Sequence, residues 1–367
     1  MFSNPFPNAF GLDIGDLSIK LVQLENRSFG LRRANYRVVD TRSINLPPGL
    51  IVNGEIEKPE EVRKRIIYLL NKKINKKIIK SPWVVASLPE SKSFIKLIKT
   101  DLSPDNLLPE DIRDMAKKHI PYDNEEDYYI EWQIMPNLDN SKKTRILIGA
   151  IPKKIADIYT YLLESVGLGV IALEIEALAI ARSMITANKE YTNEARIILD
   201  LGATRSSLIV FDQDIIQFST SIPFSGEIIT TALSQELHIS HEEAEKIKIS
   251  QGLGYKRRSN RAWHIMSKMT DDLVTSIKNV INFYYSYFPD NNRVTHITMC
   301  GGGSNLNKLP EILSKKLGIE CRPGRSWKNL NSKKPIKMSQ SESLSYSTAI
   351  GLALRAADNP FLTHDTI

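Results

Sequence analysis

Only two of the 367 residues are cysteine, Cys300 and Cys321, so no disulfide framework is implied. No apolar run is long enough to span a bilayer. The start, MFSNPFPNAF, lacks the basic lead and apolar stretch of a secretory signal. These absences lead us to expect a cytoplasmic protein with no direct membrane span. The six histidines form no metal-ligand pattern. His238 and His241 are three apart, but they bracket a helix start and read as surface residues. Nucleic-acid binding is not expected either. The net charge is +7, but the basic runs Lys72–Lys80 and Lys256–Arg261 carry no interleaved aromatics. The first run ends a helical pattern that begins with Glu60 and Glu61, where cations suit the helix dipole. The second reads as a loop.

What is present is an ordinary globular composition, 42% apolar and 25% charged, long enough for two or three domains. The chain is organised around Gly11–Leu24, GLDIGDLSIKLVQL. This reads as a strand, a tight turn at Gly15 and a second strand. Asp13 is a carboxylate within an apolar strand and needs a partner such as a hydrated cation or backbone N–H groups. The pattern returns at Ile197–Phe211, IILDLGATRSSLIVF, with Asp200 matching Asp13 and Gly202 matching Gly15. A duplicated hairpin suggests two related halves facing each other. Two such turns offer anion-binding concavities, and two carboxylates beside them suit Mg²⁺ held through water with phosphates.

Between and around the hairpins the periodicity predicts a strand over Arg32–Leu46, a helix over Lys58–Ile79 with Ile74 on its apolar face, and a buried strand over Val84–Leu88. Then come a strand at Ile95–Lys99, a helix at Pro109–His119, strands at Asp127–Met135 and Arg145–Ile151 around a polar loop at Asn137–Lys143, a helix at Lys153–Val166 and a strand at Gly169–Leu173. That order fits a small α+β subdomain. Helices are expected over Glu174–Met184, Gly226–Gln235, His241–Ser250 with Ser240 and Glu243 as a capping box, Lys268–Phe288 and Ser347–Ala357. A strand at Ile215–Ile222 follows the second hairpin. A last strand, Val294–Met299, leads into Gly301-Gly302-Gly303-Ser304 and a helix at Leu306–Leu317. Glycines there let a ligand come close to the backbone. The loop is not a Walker A loop, because no Lys-Ser/Thr follows, and it does not fit the dinucleotide fingerprint. Cys300, just before it, reads as a buried strand-end residue.

The two D-x-G hairpins, the AEKIK segment between them and the GGGS loop, in that order, resemble the actin-like ATPase superfamily. Within it the chain resembles the PilM family of type IV pilus assembly proteins, itself similar to the FtsA family. The segments that carry this are AFGLDIGDLSIKLVQLE, HIPYDNEEDYYIEWQI, LEIEALAIAR, ILDLGATRSSLIVF, EEAEKIKISQGLG, MCGGGSNLNKLPEILSKKLGI and TAIGLALRA, which together span nearly the whole chain.

The resemblance implies an α/β fold of two related lobes around a nucleotide cleft, with an inserted small α+β subdomain. The first lobe would be residues 1–89, completed by 174–190 and a C-terminal helix at 345–358. The subdomain would be 90–173 and the second lobe 191–344. ATP would lie between the lobes, with Asp13, Gly15, Asp16, Ser18 and Lys20 forming the first phosphate loop. Asp200, Gly202, Ala203 and Thr204 would form the second, and Asp13 and Asp200 would hold Mg²⁺ through water. Gly302, Gly303 and Ser304 would flank the adenosine. Glu245 and Lys248 share a helix face and would reach the ribose or base, or else form an exposed salt-bridged face. Glu176 would be the catalytic, water-positioning acid, or else merely cap its helix. Asp16 and Leu17 depart from the small hydroxyl residues usual in this first loop. An acid beside a phosphate disfavours efficient hydrolysis more than binding, so weak or no ATPase activity is expected.

The implied function is assembly of the pilus inner-membrane platform from the cytoplasmic face, with the subdomain gripping the N-terminal cytoplasmic peptide of PilN. The resemblance also allows self-association. The alternatives are an FtsA-like division or filament protein and a small-molecule kinase of the same superfamily. The ending DNPFLTHDTI, with Pro360, shows little of the amphipathic helix the first requires. No candidate catalytic Asp outside the two hairpins supports the second.

Overall fold

Each hairpin builds half of the molecule. The computed structural model describes residues 4–358 apart from 29–34, 74–77, 121–123, 137–142, 188, 190, 192, 255–259, 289, 332–335 and 337. In chain order come β1 (Phe10–Ile14), β2 (Ser18–Asn26), β3 (Tyr36–Asn45), β4 (Ile51–Val52), β5 (Glu55–Ile56), α1 (Pro59–Asn71) and β6 (Trp83–Leu88). Next are β7 (Phe94–Thr100), α2 (Pro109–Lys117), β8 (Tyr128–Met135), β9 (Thr144–Pro152), α3 (Lys153–Ser165), β10 (Gly169–Ile175) and α4 (Glu176–Met184). The remainder comprises β11 (Ala195–Leu201), β12 (Ser206–Asp212), β13 (Ile215–Ile222), α5 (Gly226–Leu237), α6 (His241–Gln251), α7 (Arg261–Tyr287), β14 (Val294–Cys300), α8 (Leu309–Leu317), β15 (Glu320–Pro323), α9 (Gln340–Leu344) and α10 (Ser347–Ala357).

The first sheet runs β10-β6-β1-β2-β3, and the second begins β15-β14-β11-β12-β13. The two orders correspond strand for strand. In each, the hairpin and its third strand are antiparallel, and a later strand joins the first one in parallel, Leu12 opposite Ala86 and Asp200 opposite Cys300. The expected duplication is therefore present in the topology. The second sheet continues through β7, β9 and β8, joined where Phe218 of β13 lies opposite Lys96 of β7.

This continuation changes the expected division of the chain. Of the span 90–173, β7, α2, β8 and β9 lie beyond the lobe sheets proper. However, β10 pairs in parallel with β6, and α3 buries Ile155, Tyr159, Leu162 and Leu163 in the first-lobe core with Val62, Ile66 and Leu69 of α1. A strand after a glycine-terminated helix looks the same in sequence wherever it pairs. Here the strand–helix–strand return to β6 supplies the parallel partner.

Three helix ends also differ. The first helix stops at Asn71 rather than at Ile79, and Ile74 lies outside the described residues. The reason is Arg42, whose fully buried guanidinium donates to the carbonyls of Leu69 and Leu70 at 2.8 Å each. It caps the last turn, a role the sequence suggested for the lysine run. Helix α7 begins at Arg261, not Lys268, because the Asn260 side chain accepts from the Ala262 N–H at 2.9 Å. The glycine loop enters a 3₁₀ turn, Gly302–Asn305, and α8 follows at Leu309. Residues 137–142 of the polar loop, residues 256–259 of the second basic run, and the tail 359–367 lie outside the described residues.

Helix α10 is buried along nearly its whole length and packs against β1 and α4. A Cβ on Gly351 would lie 1.8 Å from the Ala179 carbonyl oxygen, and one on Gly11 would lie 2.4 Å from the Ala353 nitrogen. Glycine is what allows these backbones to meet. Glu174, whose side chain is fully buried, receives Arg182 and Arg355 at 2.6 Å each, tying β10, α4 and α10 together. No described helix is long and apolar enough to cross a membrane.

Candidate functional site

The two hairpin turns face each other across a cavity of about 570 Å³, within the range of small-ligand sites. In the first turn the Gly15 N–H donates to the Ser18 carbonyl at 3.0 Å. Strand register sets Asp13 opposite Lys20, whose Nζ lies 3.8 Å from Asp13 Oδ2 and donates to Ser18 Oγ at 2.8 Å. Ser87 of β6 donates to Asp13 Oδ1 at 3.3 Å and accepts from the Ile14 N–H at 3.0 Å. Burial raises the Asp13 carboxyl above its usual range, opposed by Lys20 and Ser87.

In the second turn a Cβ on Gly202 would sit 2.3 Å from the Arg205 carbonyl oxygen, so only glycine fits. The start of α5 closes on this turn, with Gly226 N–H to the Gly202 carbonyl at 3.2 Å and Glu227 N–H to the Ala203 carbonyl at 2.8 Å. Asp200 accepts from the Cys300 thiol at 3.5 Å. Burial pushes its carboxyl up to about 6, the thiol opposing and Asp13 adding to the rise. The rise that Asp13 adds at Asp200 is that of carboxyls sharing one small volume.

Every site residue read from the sequence lines this cavity except one: Asp13, Gly15, Asp16, Ser18, Lys20, Glu176, Asp200, Gly202, Ala203, Thr204, Glu245, Lys248, Gly302 and Gly303. Ser304 does not. It is buried and its hydroxyl donates to the Cys300 carbonyl, because the 3₁₀ turn folds it back onto the strand end. Glu245 and Lys248 stand on the rim, paired at 2.6 Å, and both bond Thr230 of α5. Glu176 opens α4 without making a side-chain cap. Burial first, then Asp13, Glu90 and Asp200, hold its carboxyl well above the usual range, with Arg205 opposing. His238 is a left-handed helix cap and His241 pairs with Glu227, as a surface reading requires.

Several lining residues escaped the sequence reading: Arg205, Ile249, Asn305, Leu306, Ser345 and Thr348. Arg205 was within reach, since it follows Thr204 in the same turn. Ile249 is 70% exposed, an apolar side chain presented to the cleft. Glu90 was also missed. It is buried and accepts from the Ser219 hydroxyl of the other lobe. Burial raises it to about 7.

The cavity fits a phosphate ester with a hard cation. A Cβ on Gly302 would meet nothing within 4 Å, whereas one on Gly301 would come within 2.6 Å of Asp200 Oδ1. The glycine run thus brings bare backbone to the edge of an open cleft beside a carboxylate. Lys20 lies 3.8 Å from Asp13 and Arg205 pairs with Asp16, so cations and carboxyls are mixed in the cavity as a metal–phosphate needs. Among the described residues no three His, Cys, Asp or Glu side chains are grouped to hold a metal directly, so a cation here would be held with phosphate and water.

A family model described as type IV pilus assembly protein PilM matches residues 11–357. The curated relatives include the cell division protein FtsA of Enterococcus faecalis (strain ATCC 700802 / V583), 24% identical over 267 residues, covering 68% of this chain and 59% of the relative. FtsA of Enterococcus hirae is 24% identical over 271 residues with the same coverage, 68% and 59%. The chain thus spans about three-fifths of these relatives' length. Among solved structures, the PilM-PilN type IV pilus biogenesis complex matches with a TM-score of 0.81 at 21% identity, covering 96% of this chain and 100% of that one. Ethanolamine utilization protein EutJ from Carboxydothermus hydrogenoformans matches at 0.55 and 16% identity, with 96% and 92% coverage. MreB5 of Spiroplasma citri bound to ADP matches at 0.50 and 12% identity, with 94% and 95% coverage. These likenesses give the fold: it is the actin-like ATPase fold.

Proposed function

The chain belongs to the type IV pilus assembly protein PilM family, and from that premise we propose that it is an ATP-binding assembly protein of the pilus inner-membrane platform. Its cleft would hold ATP with Mg²⁺, the two turns receiving the phosphates and the Gly302–Gly303 edge facing the nucleoside. The observation that carries this is the convergence of both Asp-x-Gly turns on one cavity of about 570 Å³. Lys20 would meet phosphate charge, Asp13 and Asp200 would orient the hydrated metal, and Glu176 would face the attacking water if hydrolysis occurs.

The partner would be the N-terminal cytoplasmic peptide of PilN, gripped by the inserted subdomain with its neighbouring lobe and bringing the protein to the inner face of the membrane. The support is the likeness to the PilM-PilN complex along 96% of this chain. An extended peptide in a groove is a common recognition mode.

Calorimetric titration with ATP·Mg²⁺ tests the cleft. Binding by wild type, weakened by both Asp13→Ala and Asp200→Ala, is the expected result. No binding by wild type refutes the ATP assignment. Fluorescence anisotropy of a labelled PilN N-terminal peptide, with saturation expected, tests the partner separately.

A further inference from the structure

Asp16 lies in the turn between β1 and β2, and only 5% of it is exposed. Its carboxylate accepts three bonds, from the Gly54 N–H at 3.1 Å, the Thr204 hydroxyl at 2.9 Å and Arg205 Nη2 at 3.3 Å. Two of the three donors belong to the opposite turn, on the other lobe. Arg205 is held in place from its far side, where Nη1 donates to Ser91 Oγ at 2.5 Å. The floor of the cleft is therefore already bridged, lobe to lobe, by an anion that the chain itself carries.

A terminal phosphoryl group lodged between the turns would draw on the same hydroxyl and the same guanidinium. We propose that Asp16 is an internal stand-in for that phosphoryl, so that the cleft takes a nucleoside diphosphate in preference to a triphosphate. The inference rests on reading the cleft as a nucleotide site and narrows its ligand. Charge supports it. Among the described residues that line the cavity, five carboxyl groups (Asp13, Asp16, Glu176, Asp200 and Glu245) outnumber three basic side chains (Lys20, Arg205 and Lys248). A third phosphoryl would bring more negative charge to the place where a carboxylate already takes up the donors. Nor can Asp16 swing into water without giving up three hydrogen bonds from a buried position. A diphosphate needs neither donor. Lys20, the turn amides and the metal remain for it.

The experiment is calorimetric titration of the full chain with ADP·Mg²⁺ and ATP·Mg²⁺, in wild type, Asp16→Ser and Asp16→Asn. Wild type is expected to bind ADP at least about tenfold more tightly than ATP, the factor that about 1.4 kcal/mol produces. Asp16→Ser should erase or invert that ratio through a gain in ATP affinity. Asp16→Asn keeps an acceptor for Thr204 but no charge, so it should fall between. Circular dichroism melting checks each variant, and if the serine variant does not fold, the asparagine variant decides. Equal or tighter binding of ATP by wild type overturns the inference, as does a ratio unchanged in the variants. Those outcomes leave the nucleotide site standing. Failure of wild type to bind either nucleotide removes both.

Discussion

Replacing a glycine inside a helix by alanine ordinarily stabilises it by about 1 kcal/mol. Gly351→Ala is expected to do the reverse. The new Cβ would sit 1.8 Å from the Ala179 carbonyl oxygen and 2.4 Å from its carbon, against an ordinary contact near 3.4 Å. Helices α10 and α4 would have to separate by about 1.6 Å, the difference between the two figures. The obstacle is backbone, so no rotamer change relieves it. Overpacking of this kind costs roughly 1–3 kcal/mol and occasionally more. Separation also stretches the Arg182 bond to the Gly351 carbonyl, now 3.2 Å, and strains the Glu174–Arg355 pair. Setting about 4 kcal/mol of cost against the propensity gain leaves a net loss of about 3 kcal/mol. Urea unfolding followed by circular dichroism measures it. A variant as stable as wild type, or more so, would refute the packing account of α10. Ser347 and Thr348 at the start of this helix line the cleft, so weaker nucleotide binding should accompany the loss.

Gly302→Ala is the counterpart. Its Cβ meets nothing within 4 Å, so the unfolding midpoint should stay within error while nucleotide affinity falls several-fold in calorimetry. Glu174→Ala leaves Arg182 and Arg355 without their shared carboxylate and should cost about 3 kcal/mol in urea unfolding. Although burial raises the Glu174 carboxyl, the two arginines win and hold it below its usual range. Its stabilisation is therefore present above that range and lost as pH falls through the lowered value. Lys328 gives the opposite slope. Burial first, then Arg196, Lys189 and Arg325, lower it to about 8. Between there and its usual value near 10.5 the unfolded chain binds more protons, so wild-type stability should rise with pH. The difference between wild type and Lys328→Met, measured at pH 7 and pH 9.5, should change in that sense. A pH-independent difference would show that Lys328 keeps its proton.

The hairpins were legible because their signal is local. An Asp two residues before a glycine, between apolar strands, fixes both turn and carboxylate, and its repetition at Asp200 pointed to a second lobe. Most strands could be read within a residue or two for the same reason. What could not be read depends on residues far apart in the chain. Nothing near Gly169 says that β10 pairs with β6. Nothing near Asn71 says that Arg42 will cap α1. The bond from Arg205 to Asp16 spans 189 positions, so the sequence could mark Asp16 as out of place beside a phosphate without showing what neutralises it. Ser304 looked like part of the glycine loop, and the 3₁₀ turn that hides it could not be told from the start of a helix.

The seam between β13 and β7 has a mechanical meaning. The inserted strands continue the second sheet, while the chain that leaves them at Pro152 runs straight into α3, which is seated in the first lobe. The insert is thus an outrigger bolted to one half of a jaw and tethered to the other. Strand β8 lies three strand spacings out from β13, roughly 14 Å at the usual interstrand distance. Any pivoting of the jaw sweeps that outer strand through an arc, and whatever holds the outrigger from outside gains leverage on the opening of the jaw.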